Sequence, residues 1–227
     1  MQIGGLQKLS LIDYPGKVAA VIFTQGCNFR CPFCHNRHLV LSEYFQPPLS
    51  VKDILGFLQE RQGKLQGVVI SGGEPTIQTA LFPFLDEIKS LGYPVKLDTN
   101  GSRPQVIDRL LQRKLIDFVA MDVKGPWERY RELSGVDVDT QAVRASVRLI
   151  LDSGIGHVFR TTVVKPFLSS TDIQQTAAQV AGAQVYRLQE FTPGGTVLDQ
   201  RLMDVGHYTA QEFSDLQAAF EWDTVAV

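Results

Sequence analysis

Cysteine is scarce in this chain. There are 3 among 227 residues, and none lies outside the window from Cys27 to Cys34. No thiol is left for packing or disulfides elsewhere, which argues against an oxidised, secreted scaffold and for metal or redox chemistry in one loop. Long apolar runs are missing too: no stretch approaches the roughly 20 residues that a membrane-spanning helix needs. Met1 to Pro15 has neither the basic start nor the continuous apolar core of a signal peptide, so we expect a cytoplasmic protein with no membrane partner. Charge of one sign is also lacking. With 22 Lys and Arg against 24 Asp and Glu, the net charge is -2, and nothing suggests a nucleic-acid binder. Neither a linker nor a low-complexity segment appears. We expect a single domain over residues 1–227, with an N-terminal extension (1–16), a partial barrel (17–195) and a C-terminal segment and helix (196–227).

What is present is concentrated. The stretch Gln25-Gly26-Cys27-Asn28-Phe29-Arg30-Cys31-Pro32-Phe33-Cys34-His35-Asn36 carries the cysteines in the spacing C-x3-C-x2-C. Two or three intervening residues let a chain turn back so that every sulfur reaches one metal centre. Three thiolates leave a four-iron cluster one protein ligand short. They also leave a zinc alternative open, with His35 or His38 completing a Cys3His tetrahedron.

Around this loop, apolar runs alternate with helical patterns six times. The strand candidates are 18–24, 67–71, 95–97, 118–121, 157–164 and 184–189. Their β-rich, unalternating character suits strands buried on both faces. Between them, apolar residues recur at three- and four-residue steps, as in Ile77, Leu81, Phe84, Leu85 and Ile88. Ser50 is a good cap for a helix to about Gln62, the next helix follows from Thr76, Ser102 caps another, and Ser170 starts a further one. Residues 126–139 read as an irregular insertion, and Thr209 to Glu212 as a capping box for a last helix. Such alternation implies parallel pairing with right-handed crossovers. Six units fall short of the eight of a closed barrel. We therefore expect an α/β fold, an open partial (β/α)6 barrel with residues 1–16 as an edge strand or hairpin; a flat doubly wound sheet is the alternative.

In parallel barrels, function gathers at the C-terminal ends of the strands. The polar and glycine-rich clusters fall there: Cys27 to Cys34, Gly72-Gly73-Glu74, Asp98-Thr99-Asn100, Asp122 to Lys124, Arg160 to Lys165, and Glu190 to Gly195.

The three-cysteine spacing, with Phe33 before the third cysteine and the GGE tripeptide after the second strand, resembles the radical S-adenosylmethionine (SAM) superfamily. Ile12 to Gly16, Thr24 to Asn28, Ile70 to Thr76 and Asp98 to Gly101 resemble the activating enzymes of glycyl-radical enzymes. They are most similar to anaerobic ribonucleoside-triphosphate reductase activating proteins. The resemblance implies a [4Fe-4S] cluster on Cys27, Cys31 and Cys34, with SAM as the missing ligand through its amino and carboxylate groups. It places Phe33 by the adenine, the backbone around Cys34 and His35 on the adenine edge, and Gly72 and Gly73 against the methionyl end. Glu74 would hold an ammonium or brace the turn. Asp98, Asn100, Asp122, Val123 and Lys124 would meet ribose hydroxyls, the methionyl carboxylate or a small cation, and Arg160 would pair with that carboxylate. Some related activating enzymes carry a histidine just after the sixth strand, where this chain has Thr192. The implied partners are a glycyl-radical enzyme as protein substrate and flavodoxin or ferredoxin as electron donor. Two further readings stay open: a small-molecule radical SAM enzyme such as a 7-carboxy-7-deazaguanine synthase, and a zinc-stabilised binding module.

Overall fold

The computed structural model describes residues 1–165, 167–194 and 196–224; Gly195, at the end of the last polar cluster, lies outside them. Its strands and α-helices, in chain order, are β1 (Ile3–Ser10), β2 (Ala19–Thr24), α1 (Arg37–Val40), α2 (Val51–Glu60), β3 (Gly67–Gly72), α3 (Leu81–Ser90), β4 (Val95–Thr99), α4 (Pro104–Gln112), β5 (Phe118–Asp122), α5 (Tyr130–Ser134), α6 (Thr140–Asp152), β6 (Gly156–Val163), α7 (Ser170–Gln179), β7 (Val185–Glu190), α8 (Ala210–Phe220) and β8 (Trp222–Asp223). The strands form one sheet in chain order, with β1 and β8 at its edges. A doubly wound sheet would reverse its order at a switch point. This one does not, and the expected unclosed α/β architecture, with β1 as the N-terminal edge strand, is the one observed.

The chain divides into two compact units: Met1–Asn28 with His38–Thr99 and Arg103–Val119, and Phe29–Arg37 with Asn100–Ser102 and residues from Ala120 onward. In the first, β1 runs antiparallel to β2, and β2, β3 and β4 are parallel. Val21, Val69, Ala19 and Tyr14 form a buried apolar group joined by Phe23 and Phe118. In the second unit, β6 and β7 are parallel and β8 adds an antiparallel edge. That last strand had no sequence signal, because two residues are too few to show a period.

Caps and turns refine the expected boundaries. Ser50 caps α2 and accepts from the Asp53 amide at 3.4 Å. Both α7 and α8 open on complete capping boxes, Ser169 with Asp172 and Thr209 with Glu212. The helix expected from Thr76 begins instead at Leu81, after a 3-10 turn at Pro75–Ile77. Thr76 is committed to Glu74, as described below. The helix expected from Ser102 begins at Pro104, whose ring presets φ for a first helical turn. The insertion at 126–139 is more regular than its sequence suggests, with a 3-10 turn at Trp127–Arg129 running into α5.

Candidate active site

In the first unit, the turn after β3 is bolted to the chain that leads into Cys27. The Gly73 amide donates to the Thr24 carbonyl and the Glu74 amide to the Gly26 carbonyl, both at 2.8 Å. The Gln78 side-chain amide donates to the carbonyl between them, that of Gln25, at 2.6 Å. Side chains are excluded where these loops meet. A Cβ on Gly73 would fall 2.0 Å from the Gly26 oxygen, and one on Gly72, which sits at φ +114, 2.3 Å from the Thr24 nitrogen.

Glu74 is fully buried. One of its oxygens, Oε1, accepts from the Thr76 amide at 3.0 Å, the Thr76 hydroxyl at 2.5 Å and the Thr99 hydroxyl at 2.8 Å. A buried carboxylate met by several donors is stabilised in its place, so of the two roles expected for Glu74 the structure displays the brace. Asp98, at the end of β4, accepts from the Ser71 hydroxyl at 3.1 Å and ion-pairs with Lys96. Neither Asp98 nor Asp122 caps the helix that follows it.

In the second unit, the loop carrying Cys31 and Cys34 is fastened along both sides. The Arg30 amide donates to the Ser134 carbonyl at 2.7 Å, while Leu198 and Asp199 donate to the carbonyls of Cys34 and Pro32, each at 2.9 Å. His35 Nε2 lies 2.6 Å from the Thr192 carbonyl, and its ring packs on Phe191 with centroids 5.1 Å apart. Phe33 is buried, 6.4 Å from the Phe167 ring.

None of the three cysteines is in a disulfide; Cys31 is buried and Cys27 and Cys34 are partly exposed. Burial pushes the Cys31 thiol up to about 11 despite the opposing pull of Lys124, and burial raises Cys34 likewise. Ligation must therefore displace protons from these sulfurs.

Asp122 accepts from Arg160 Nε at 2.8 Å and from Lys124 Nζ at 3.2 Å. Burial alone would raise the Asp122 carboxyl, but the two cations outweigh it and hold it at about 2. For Lys124 the attraction of Asp122 likewise overcomes burial and raises the ammonium. The three side chains carry a net charge of +1. The Val123 amide donates to the Arg160 carbonyl at 2.9 Å, and the Tyr130 hydroxyl accepts from the Lys124 amide at 3.2 Å. Asn100 accepts from the Ser102 amide at 2.9 Å through Oδ1.

Thr76, Thr99 and Ser71, which lie in stretches that the sequence marks out, support the expected residues, and so do Gln78 and Lys96, which it did not single out. Of the last two, Lys96 carried a signal, as a charge inside an apolar strand. By their chemistry, three cysteines within eight positions suit an iron-sulfur cluster. Among the described residues no three His, Cys, Asp or Glu side chains, the three cysteines included, gather closely enough to hold a single metal ion.

Residues 21–180 match the model of the radical SAM superfamily. A protein of Methanocaldococcus jannaschii named "Putative glycyl-radical enzyme activating enzyme" is 38% identical over 196 residues, 84% of this chain and 80% of that one. The 7-carboxy-7-deazaguanine synthase of Hyperthermus butylicus is 36% identical over 92 residues, 40% of this chain and 38% of its own length. Among solved structures, Streptococcus suis SuiB bound to S-adenosylmethionine shares the fold, with TM-score 0.69 at 18% identity over 88% of this chain and 45% of that one. By the family match and the identity to the archaeal relative, this chain belongs to the radical SAM superfamily, enzymes that use a [4Fe-4S] cluster and S-adenosylmethionine.

Proposed function

We propose that this enzyme activates a glycyl-radical enzyme, with an anaerobic ribonucleotide reductase as its protein substrate. The observation that carries the reading is the 38% identity to the M. jannaschii protein, which spans most of both chains. Cys27, Cys31 and Cys34 would hold the cluster, and SAM would complete it. When bound and reduced by one electron, this pair would supply the reductive cleavage of SAM that leads to loss of a hydrogen atom from a backbone glycine of the partner.

The chain's own residues bind and orient. Phe33 offers an apolar face to the adenine, and the backbone of Cys34 and His35 offers its polar edge. Gly72 and Gly73 admit the methionyl end because they have no side chains, and Glu74 holds their turn in place. Asp122, Lys124 and Arg160, with their net positive charge, suit the methionyl carboxylate. Asp98, Asn100, Val123 and Thr192 supply the remaining polar contacts. The three cysteines are consumed by one cluster, which is why we assign electron delivery to a separate protein, flavodoxin or ferredoxin. The setting is cytoplasmic and anaerobic. Among the described residues no helix is long and apolar enough to cross a membrane.

The test is to incubate the reconstituted, reduced protein with SAM and candidate glycyl-radical enzymes, then to record electron paramagnetic resonance spectra. A glycyl doublet on a partner is expected. SAM cleavage without a protein radical on any partner would favour a small-molecule substrate, a reading supported by the identity to the deazaguanine synthase. Stoichiometric zinc without sulfide would overturn both.

A further inference from the structure

Lys96 is a buried ammonium for which the proposed chemistry has no use. It stands in β4 between the fully buried Val95 and Leu97, and 4% of its side chain reaches solvent. Register pairs it with Val69, and Val69 with Val21. Its side chain therefore rises from the face that holds the apolar group of Tyr14, Val21 and Val69. A lysine in such a place is costly unless an opposite charge meets it. Asp98, two residues on and thus on the same face, meets it: Oδ1 ion-pairs with Lys96 Nζ, and Oδ2 accepts from the Ser71 hydroxyl at 3.1 Å. The Asp98 carboxylate, 15% exposed, is thereby held by a partner on each oxygen at the functional end of β4.

We infer that Lys96 is a positioning residue of the cofactor site. With Ser71, it sets the direction in which Asp98 faces the bound SAM. This rests on the proposed contact between Asp98 and SAM. A purely structural pair would be served as well or better by two apolar side chains; a charge pair that reaches the strand end is explained by what lies there.

The experiment compares Lys96→Met, Asp98→Asn and the double variant with the parent protein. It measures SAM affinity of each reconstituted protein by equilibrium binding, iron content, and the thermal midpoint of the metal-free form. Each single variant is expected to bind SAM about 10- to 100-fold more weakly with unchanged iron. The double variant should bind no more weakly than the worse single one, because both changes act through one carboxylate. The midpoint should be lowest for Lys96→Met and recover in the double variant, since the single change leaves a buried carboxylate without its counter-ion. Lys89→Met, which breaks the more exposed pair with Asp117, is the control and should leave SAM affinity alone.

If Lys96→Met binds SAM normally while Asp98→Asn does not, Lys96 has no positioning role and the Asp98 contact stands. If neither change alters affinity, the Asp98 contact fails and the inference with it. Should Lys96→Met not fold, recovery of folding in the double variant with the affinity of Asp98→Asn supports the inference; a double variant that also fails to fold overturns it.

Discussion

The Glu74 amide donates to the Gly26 carbonyl at 2.8 Å, so the glycine turn after β3 and the residue before Cys27 form one hydrogen-bonded piece. A disturbance of either is therefore felt by the other, and the first two predictions follow from that join.

Gly73→Ala should be more damaging than a glycine change at a strained but open position. The new Cβ would lie 2.0 Å from the Gly26 oxygen, whereas Gly154, at φ +75, has nothing within 4 Å. We expect Gly73→Ala to cost about 1 to 3 kcal/mol or more and to lower iron incorporation, while Gly154→Ala costs about 1 kcal/mol and spares the iron. Thermal melts and iron analysis of the two variants decide it; equal effects would show that the close approach is not maintained in solution.

Thr99→Val removes one of the hydroxyls that hold the buried Glu74 carboxylate at Oε1. Loss of a hydrogen bond to a charged group of this kind should cost roughly 1.5 to 3 kcal/mol. The same substitution at Thr171, an exposed residue of α7, should stay within about 0.5 kcal/mol. Denaturant midpoints give the comparison, and indifference at Thr99 would remove Glu74 from the role of brace.

Acid should weaken the protein through Asp122. Its folded-state carboxyl is held at about 2, below its ordinary 3.8, by Arg160 and Lys124 against the effect of burial. A lowered carboxylate adds stability that is complete above its unfolded value and fades as pH falls through the folded one. The contribution, roughly 2 kcal/mol, should therefore be lost between about pH 4 and pH 2. The stability gap between the parent and Asp122→Asn is expected to narrow across that window. A gap that holds constant from pH 6 to pH 2 would contradict the ion triad.

Cys31, buried and pushed up to about 11, should react slowly with iodoacetamide at pH 8 in the metal-free protein, because the thiolate is the nucleophile. Peptide mass spectrometry should show Cys27 labelled first. Cys31→Ala should abolish both the cluster and SAM cleavage; cleavage that survives would sink the mechanism.

Much of this was legible in the chain alone. Three cysteines within eight positions define the metal loop whatever surrounds it, because the spacing is a local property of the backbone. Apolar runs recurring between helical patterns declare parallel strands, and capping boxes such as Thr209 with Glu212 are local and appear where expected. Tertiary structure decided the rest. Glu74 became a brace because Thr99, twenty-five residues away, brings a hydroxyl to it. Thr76, from which the sequence predicts a helix, bonds Glu74 two residues back within a 3-10 turn, and the helix starts at Leu81. Lys96 stands out in the sequence as a charge inside an apolar strand, but register is what sets it beside Val69, with Asp98 meeting its ammonium. Sequence by itself determines which groups can do chemistry and how the chain is punctuated. Which of them touch is decided by strand register and by the desolvation of charges brought together from distant positions, and neither is written in any one segment.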